Sequence, residues 1–355
     1  MTNPYGSLPD YCYWSRSMSL QSPSQIDPVT KARIIGKHEN VASMGSCFAQ
    51  HLSRHIQNSG LNYFVPESAP AEMDQAEANK MNFGVYSARY GNVYTVRQAL
   101  QLFNRAFGLF VPVDAVWEKG GRFVDALRPN IDPNGFATKA AVEAASAEHL
   151  GYVRQVFTKA KWLVFTIGLT EAWQSKQDGT VYPVAPGISG GTFDTDKYEF
   201  VNFSVSEVIS DLKIFIEKIK QVNPSAAFLL TVSPVPLIAT YENRHVLAST
   251  TYSKSVLRVA AQEAENSFDD VIYFPSYEII TSPASGGRYY SDDLRQVTDI
   301  GVKHVMRVFG RHFIQNETPE EFERIRMQPH SFSDSSVVCD EEAIEKARTE
   351  SALLK

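Results

Sequence analysis

The chain has 355 residues, of which 43% are hydrophobic and 21% are charged, and this length is sufficient to bury a large core. Its formal net charge of −6 argues against a nucleic-acid surface, which would require a concentrated basic patch. The sequence has neither a long apolar run nor a basic, then apolar N-terminus, so we expect a cytoplasmic protein without a signal peptide or membrane insertion.

The three cysteines, Cys12, Cys47 and Cys339, lie far apart in the sequence. Their odd number and wide spacing predict neither a disulfide framework nor a zinc site, and they fit a reducing compartment. No Gly-x-Gly-x-x-Gly or phosphate-loop pattern opens a predicted helix. We therefore expect no cofactor and no metal.

The first regular elements are predicted to be a short strand, a tight turn and a helix, after an irregular N-terminal arm over residues 1–35. Residues 41–44 form an apolar run that ends at Gly45. From Cys47 onward, large apolar residues recur every four positions until Gly60, which is the pattern of an amphipathic helix.

The rest of the chain predicts one α/β domain over residues 36–314, with an insertion at 62–138 that builds the wall of the site. Residues 178–203 are rich in Gly and Pro and are predicted to form a loop. A charged helical tail outside the core is expected at 315–355. The other predicted elements are helices at 96–107, 138–158, 205–222, 251–265 and 299–313, and strands at 162–167, 227–233 and 271–274.

Alternation of strands and helices implies a mostly parallel sheet with helices on both faces. In such sheets, ligands bind beyond the carboxyl ends of the strands. Four strand ends deliver small or polar residues to that edge: Gly45-Ser46-Cys47, Gly168 to Glu171, 233–235 and 275–277. The candidate site should lie there.

The run Met44-Gly45-Ser46-Cys47-Phe48-Ala49 carries the five-letter signature of the GSCFA family. Further similarity lies at 165–173, 231–235 and 253–258, so the chain resembles this family over residues 40–310. The family is similar to the SGNH/GDSL hydrolases. This resemblance implies a flavodoxin-like, SGNH-hydrolase-type fold and an acyl-ester hydrolase or O-acyltransferase acting on a saccharide or polysaccharide precursor.

The resemblance also implies a nucleophile at the first strand-to-helix turn, where helix amides, with those of the Gly45 strand end, can stabilise an oxyanion. An ungapped match of the SGNH Gly-Asp-Ser motif places Cys47 at the nucleophile position, and a one-residue shift places Ser46 there. A thiolate at a helix start would have a lowered pKa. The alternative is a buried structural cysteine beside a capping serine.

The next SGNH element is a glycine whose N–H joins the oxyanion hole, for which Gly84 and Gly91 are the candidates; the alternative is an ordinary turn glycine. A Gly-x-Asn element should follow. Here it is Gly168-Leu169-Thr170, in which Thr170 can donate one hydrogen bond where asparagine could donate two. Glu171 is then the polar group of interest at this strand end, unless it only faces solvent.

The last SGNH element, Asp-x-x-His, supplies the base and its orienting carboxylate. The nearest match begins at Asp293 and places Gln296 at the histidine position, and glutamine cannot act as a general base. Either His245 supplies the base, with His304 a helix-face residue, or the histidine has been substituted, or the protein is a non-catalytic carbohydrate- or partner-binding protein with a degraded site.

Three basic residues, Arg128, Arg89 and Lys254, are candidates for binding an anionic or sugar substrate, although surface ion pairs are the alternative for each. The expected partner is a saccharide or an acylated small molecule. The oligomeric state cannot be read from the sequence.

Overall fold

The structure, a computed structural model, describes residues 3–314 and 339–353. The strands are β1 (Val41–Gly45), β2 (Val116–Lys119), β3 (Arg122–Asp125), β4 (Trp162–Ile167), β5 (Glu171–Ser175), β6 (Val181–Tyr182), β7 (Tyr198–Asn202), β8 (Ala227–Val232) and β9 (Val271–Tyr273). The helices are α1 (Ala49–Asn58), α2 (Gln75–Lys80), α3 (Val96–Ala106), α4 (Lys139–Lys159), α5 (Val205–Val222), α6 (Val246–Ser267), α7 (Ser276–Thr281), α8 (Asp299–Phe313) and α9 (Glu342–Leu353).

The central sheet has four parallel strands in the order β1-β4-β8-β9, so each strand lies beside the next one of this sheet along the chain. Helices cover both faces of this sheet. The predicted α/β architecture of the flavodoxin-like type is therefore confirmed. Parallel pairing brings the carboxyl ends of all four strands to one edge, where the predicted site lies.

The residues of β4 show why this strand reads as an unbroken apolar run. Leu163 and Phe165 point into a core shared with α3, α4, α5 and α6. Trp162 and Val164 point into a second core shared with α1 and α8. A strand buried on both faces has no solvent side, so it needs no alternation of polar residues.

The prediction of a loop over 178–203 was wrong in part. A small antiparallel sheet in the order β6-β5-β7 crosses this stretch, and β2 and β3 form a hairpin nearby. Trp117, Tyr182 and Tyr198 bury their rings in a separate small core there. The strands are short and Gly-rich turns separate them, so their period-2 pattern is too brief to recognise.

Helix starts follow local capping chemistry. The Ser204 hydroxyl accepts from the Glu207 amide and the Glu207 carboxylate accepts from the Ser204 amide, a capping box that begins α5 at the predicted residue. Helix α6 begins several residues before the predicted 251 because the His245 side chain caps it, accepting from the Leu247 amide.

The tail contains a helix as predicted, namely α9. Its expected position outside the core was wrong for the residues before α9, since Asp340 and Glu341 are each only 7% exposed. The predicted boundary at 315 stays a prediction. Within the described ranges, none of the helices combines the length and apolar character that a membrane crossing requires.

Candidate active site

The turn after β1 is held against the neighbouring strand. Gly45 has φ of 138°, and a Cβ there would lie 2.3 Å from the Thr166 carbonyl oxygen, so the turn requires glycine. The Ser46 amide donates to the same carbonyl at 3.1 Å. The predicted strand, turn and helix start are confirmed.

Ser46 is enclosed on the sheet side of this turn. A Cβ at Gly168 would lie 2.9 Å from the Ser46 Cβ, so these two strand ends are in direct contact. The Ser46 hydroxyl is buried and has no hydrogen-bond partner among the described residues. This hydroxyl is closely packed and, among the described residues, makes no hydrogen bond to a base.

Cys47 is also buried, and its thiol is hydrogen-bonded to the thiol of Cys339. This contact and burial raise the pKa of Cys47. The same contact, with the Arg295 guanidinium 3.6 Å from the sulfur, lowers the pKa of Cys339. The pair therefore holds its first negative charge on Cys339.

Lys254 brings a buried amine to this turn. Its Nζ donates to the Gly168 carbonyl oxygen at 2.8 Å, and its side chain is only 1% exposed. Burial lowers its pKa to about 8, although the nearby Glu341 carboxylate and Cys47 thiol act in the opposite direction. A lysine in this state can give up and accept a proton near neutral pH.

Two asparagine amides form a carboxylate-binding socket in front of the turn. Asn92 Nδ2 and Asn130 Nδ2 donate to the two Asp340 oxygens at 2.8 and 2.7 Å. The Tyr86 hydroxyl fixes Asn92, because it lies 2.7 Å from the amide oxygen and 2.9 Å from the Ser46 carbonyl oxygen. Burial raises the pKa of Asp340 even so.

Arg295 holds the next residue of the tail. Its Nη2 donates to Glu341 Oε2 at 2.9 Å, while its Nε donates to the Pro236 carbonyl oxygen at 3.3 Å. Burial, followed by the charge of Cys339, raises the pKa of Glu341 to about 7, against the opposing effects of Arg295 and Lys254. Residues 339–341 thus fill the space in front of Cys47 with a thiol and two carboxyl groups.

A cavity of about 1030 Å³ lies next to this segment. Lys254 and Arg295 belong to its lining, as do residues that follow β8 and β9. Helix α9 forms another side through Glu342, Glu345 and Lys346. The cavity occupies the carboxyl edge of the sheet, and its charged end adjoins the Cys47 turn.

Comparison with known proteins gives one family match. The GSCFA family model matches residues 40–309, most of the chain, including the Cys47 turn, Lys254 and Arg295. The chain belongs to the GSCFA family. No curated protein and no solved structure matches it.

The predicted oxyanion residues of this GSCFA protein lie at different places. Gly168 contacts the Ser46 side chain, and Gly91 precedes the socket residue Asn92. Gly84 has an open environment and a φ of 72°. Thr170 is buried and its hydroxyl donates to Asn202 Oδ1 at 2.7 Å, so that hydroxyl is committed elsewhere.

Two charged residues that were predicted to bind substrate, Glu171 and Arg128, are bonded to other residues of the protein. Glu171 accepts from the Thr240 hydroxyl at 2.7 Å, and burial raises its pKa. Arg128 is buried, with its Nε 2.8 Å from an Asp125 oxygen and further bonds to the backbone carbonyls of Arg89 in the insertion and Ala145 on α4. The substrate contacts predicted for Glu171 and Arg128 stay predictions.

The predicted acid–base residues are not assembled at the Cys47 turn. Asp293 is exposed and its carboxylate accepts from the Arg295 and Gln296 amides, which makes it a turn residue. Gln296 is exposed at the cavity. His245 is an exposed helix cap, and the buried His304 ring bonds the Tyr289 hydroxyl and the Ile26 carbonyl oxygen.

Sequence reasoning missed Asn92, Asn130, Arg295 and the tail residues Cys339, Asp340 and Glu341. Two local signals were available. Asn92 follows a glycine that was already a candidate, and Arg295 lies inside the Asp-x-x-His-like stretch, one residue before Gln296. Nothing local indicates that residues 339–341 return to the first strand.

Proposed function

We propose that this protein is an acyl-ester hydrolase or O-acyltransferase acting on a saccharide or polysaccharide precursor, with Cys47 as its nucleophile. The observation that carries the proposal is a thiol at the helix start after β1, beside a buried lysine whose pKa is about 8. Nucleophile and proton acceptor in one enclosed turn are what covalent acyl transfer requires.

Cys47 suits the nucleophile role better than Ser46. The Cys47 thiol faces the tail segment that adjoins the charged end of the cavity, whereas the Ser46 side chain packs against Gly168. A thiol ionises more readily than a hydroxyl. The contact with Cys339 is the main cause that raises the pKa of Cys47, so Lys254 activates this thiol once substrate has displaced the tail.

Lys254 takes the place that histidine has in the SGNH pattern. Its amine is fixed by the Gly168 carbonyl, and burial keeps a fraction of it unprotonated near neutral pH. Arg295 cannot serve, because a guanidinium does not release its proton in this range.

Asn92 supplies the oxyanion donor that Thr170 lacks. The Asp340 carboxylate oxygen on Asn92 Nδ2 stands in for the negative oxygen of a tetrahedral intermediate. Among the described residues, no backbone carbonyl outside regular elements accepts from the Cys47 and Phe48 amides, which are therefore proposed as further donors. Substrate must displace Asp340 to reach these groups.

The reaction then balances as follows. The Cys47 thiol gives its proton to neutral Lys254 and the sulfur attacks the acyl carbon, forming a tetrahedral intermediate. The ester C–O bond breaks, the alcohol leaves with the proton from Lys254, and an acyl-thioester remains on Cys47. Water or an acceptor hydroxyl, deprotonated by Lys254, attacks the thioester; the C–S bond breaks, the acid or the new ester leaves, and the Cys47 thiolate takes the proton back from Lys254.

Occupation of the site by residues 339–341 favours a second candidate, a non-catalytic carbohydrate- or partner-binding protein. The two candidates differ in covalent chemistry. Incubation with a thiol-directed acylating probe, followed by peptide mass analysis, should add one acyl group at Cys47 if the enzyme proposal is right. Saccharide binding without any adduct at Cys47 would favour the binding protein.

Turnover of aryl acetates tests the enzyme proposal. Cys47→Ala should lower kcat/KM by on the order of a thousand-fold or more, because the proposed thioester forms on the Cys47 sulfur. Ser46→Ala should stay within about ten-fold of the wild type, since its hydroxyl takes no part.

Cys12→Ala is the matched control for loss of a thiol, because Cys12 is exposed in the N-terminal arm. Full activity in Cys47→Ala would overturn the assignment of the nucleophile. Full activity in both Cys47→Ala and Ser46→Ala would overturn acyl chemistry at this turn.

A further inference from the structure

The cavity beside the Cys47 turn has one charged end. Lys254 and Arg295 lie there, while much of the remaining lining is apolar and includes Pro234, Leu237 and Tyr277. Its acidic residues are Asp293, which is engaged in a turn, and Glu342 and Glu345 on α9. The buried lysine serves the nucleophile under the proposed function, which leaves Lys346 on α9 and Arg295; of these, Arg295 is held at the strand ends by the Pro236 carbonyl oxygen.

Arg295 is fixed as a carboxylate receptor. Its Nε is tied to the Pro236 carbonyl, and its side chain is 14% exposed. One terminal nitrogen already binds a carboxylate oxygen of Glu341 at 2.9 Å. A guanidinium held in this way presents its donors to a carboxylate in a defined direction, as a lysine on a flexible stem would not.

The carboxylate that Arg295 now binds is a replaceable one. The pKa of Glu341 is raised to about 7 because its burial costs more than Arg295 and Lys254 return. Glu341 therefore loses hydration on docking without full compensation. A ligand carboxylate that reaches Arg295 from the cavity would compete with Glu341 for the same guanidinium.

Two adjacent residues of the tail, Asp340 and Glu341, occupy two neighbouring subsites. Asp340 occupies the amide socket at Asn92, and Glu341 occupies Arg295. The Cα atoms of neighbouring residues are about 3.8 Å apart and each side chain extends further, so the two subsites are neighbours that one acyl chain with a terminal carboxylate would have to span. A carbonyl at Asn92 would leave the far end of that chain at the guanidinium.

We propose that Arg295 binds a carboxylate at the far end of the acyl group, so that the preferred substrates are half-esters of short dicarboxylic acids. This inference rests on the proposed function, which it narrows to acidic acyl groups. The fixed guanidinium, its present carboxylate partner and the adjoining amide socket carry it together.

The test compares two esters with the same leaving group in the full-length protein: 4-nitrophenyl acetate and mono-4-nitrophenyl glutarate. The wild type should favour the glutarate ester in kcat/KM by about 10- to 100-fold, mainly through KM, the range expected for a hydrogen bond between charged groups. Arg295→Gln should remove this preference, and Arg295→Lys should keep part of it.

Arg288→Gln is the control, because Arg288 is outside the cavity lining and its Nε donates to the Ser285 carbonyl oxygen. It should keep the wild-type preference. Equal kcat/KM for both esters in the wild type, or an equal loss for both in Arg295→Gln, would overturn the inference.

Calorimetric titration with glutarate separates this inference from the proposed function. The wild type and Arg288→Gln should bind glutarate, and Arg295→Gln should bind it at least 10-fold more weakly. If the wild type bound glutarate but hydrolysed neither ester, the proposed enzymatic function would be refuted and the carboxylate-binding role of Arg295 would be supported. Absence of glutarate binding to the wild type would refute the receptor, whatever the turnover.

Discussion

Two regions meet at the candidate site and are held there by different forces. The turn Gly45–Cys47 is fixed by the sheet, through the Thr166 carbonyl and the close contact with Gly168. The segment Cys339–Glu341 is held by polar side chains, chiefly Asn92, Asn130 and Arg295. One region is part of the core, and the other is an occupant of the site.

This difference shows how the site can have a fixed nucleophile and still admit substrate. The sheet and its neighbours hold the backbone of this turn, because none of its backbone hydrogen bonds among the described residues involves 339–353. The tail contacts are hydrogen bonds to the carboxyl groups of Asp340 and Glu341, whose pKa values are raised by burial. Burial of each group therefore costs free energy of hydration, which is regained when the tail leaves the site. A fixed nucleophile behind a displaceable acid is the arrangement expected of a site that opens for its substrate.

Substitution of Lys254 is expected to have the largest effect on activity. It tests whether the region that the sheet fixes supplies the proton acceptor. Only neutral Lys254 accepts a proton, so kcat/KM for aryl esters should rise with pH through its pKa of about 8. Lys254→Met should lower kcat/KM by about 10²- to 10⁴-fold, the usual contribution of a general base.

Lys254→Arg is the matched control, because it keeps the positive charge and cannot accept a proton. We expect it to be as inactive as Lys254→Met and to lack the rise near pH 8. If Lys254→Arg retained the wild-type pH profile, another group would be the proton acceptor.

Gly45 gives the next largest effect, now on stability. Alanine there would place a Cβ within 2.3 Å of the Thr166 carbonyl oxygen at a φ of 138°, so the turn must distort. We expect Gly45→Ala to lower the free energy of unfolding by about 3 kcal/mol, from backbone strain and displaced packing. Urea denaturation measures this loss.

Gly84→Ala is the control that separates the cost of backbone strain at a positive φ from the cost of a steric clash of the new Cβ. Gly84 has a φ of 72° but no atom near a Cβ, so this substitution should cost only about 1 kcal/mol. Equal losses at the two glycines would mean that the sheet does not fix the Cys47 turn in the way described.

The same contrast explains what the sequence could predict. Strands at 41–44, 162–167 and 227–233 and the helix at 205–222 are recognisable because apolar runs and helical spacing are local properties. The helix start at Cys47 follows from Gly45 and the spacing after it. All of these belong to the region that the sheet holds.

The missed residues depend on contacts between distant parts of the chain. The bond from Asn92 to Asp340 joins residues 248 positions apart, and no period or motif reports such a contact. Lys254 was a candidate for binding an anion, but its burial, and hence its lowered pKa, comes from the packing of α6 against the strand ends. His245 was chosen as a loop histidine, whereas it is the cap of that helix.

Asp340→Ala is expected to have the smallest effect on activity. It tests whether the segment Cys339–Glu341 is an occupant of the site that substrate displaces. The substitution removes the hydrogen bonds from the Asn92 and Asn130 amides, each worth about 1 kcal/mol net, so the tail should dock about thirty-fold more weakly. Since Asp340 occupies the position proposed for the oxyanion, kcat/KM for 4-nitrophenyl acetate should rise by about 5- to 10-fold.

Arg348→Ala is the control for a change in the tail, because Arg348 is exposed on α9. It should leave kcat/KM at the wild-type value. A fall in activity for Asp340→Ala would mean that its carboxylate takes part in the reaction and is not a substitute for the substrate. In that case the two regions would form one permanent site, and the segment Cys339–Glu341 would belong to the catalytic machinery together with the Cys47 turn.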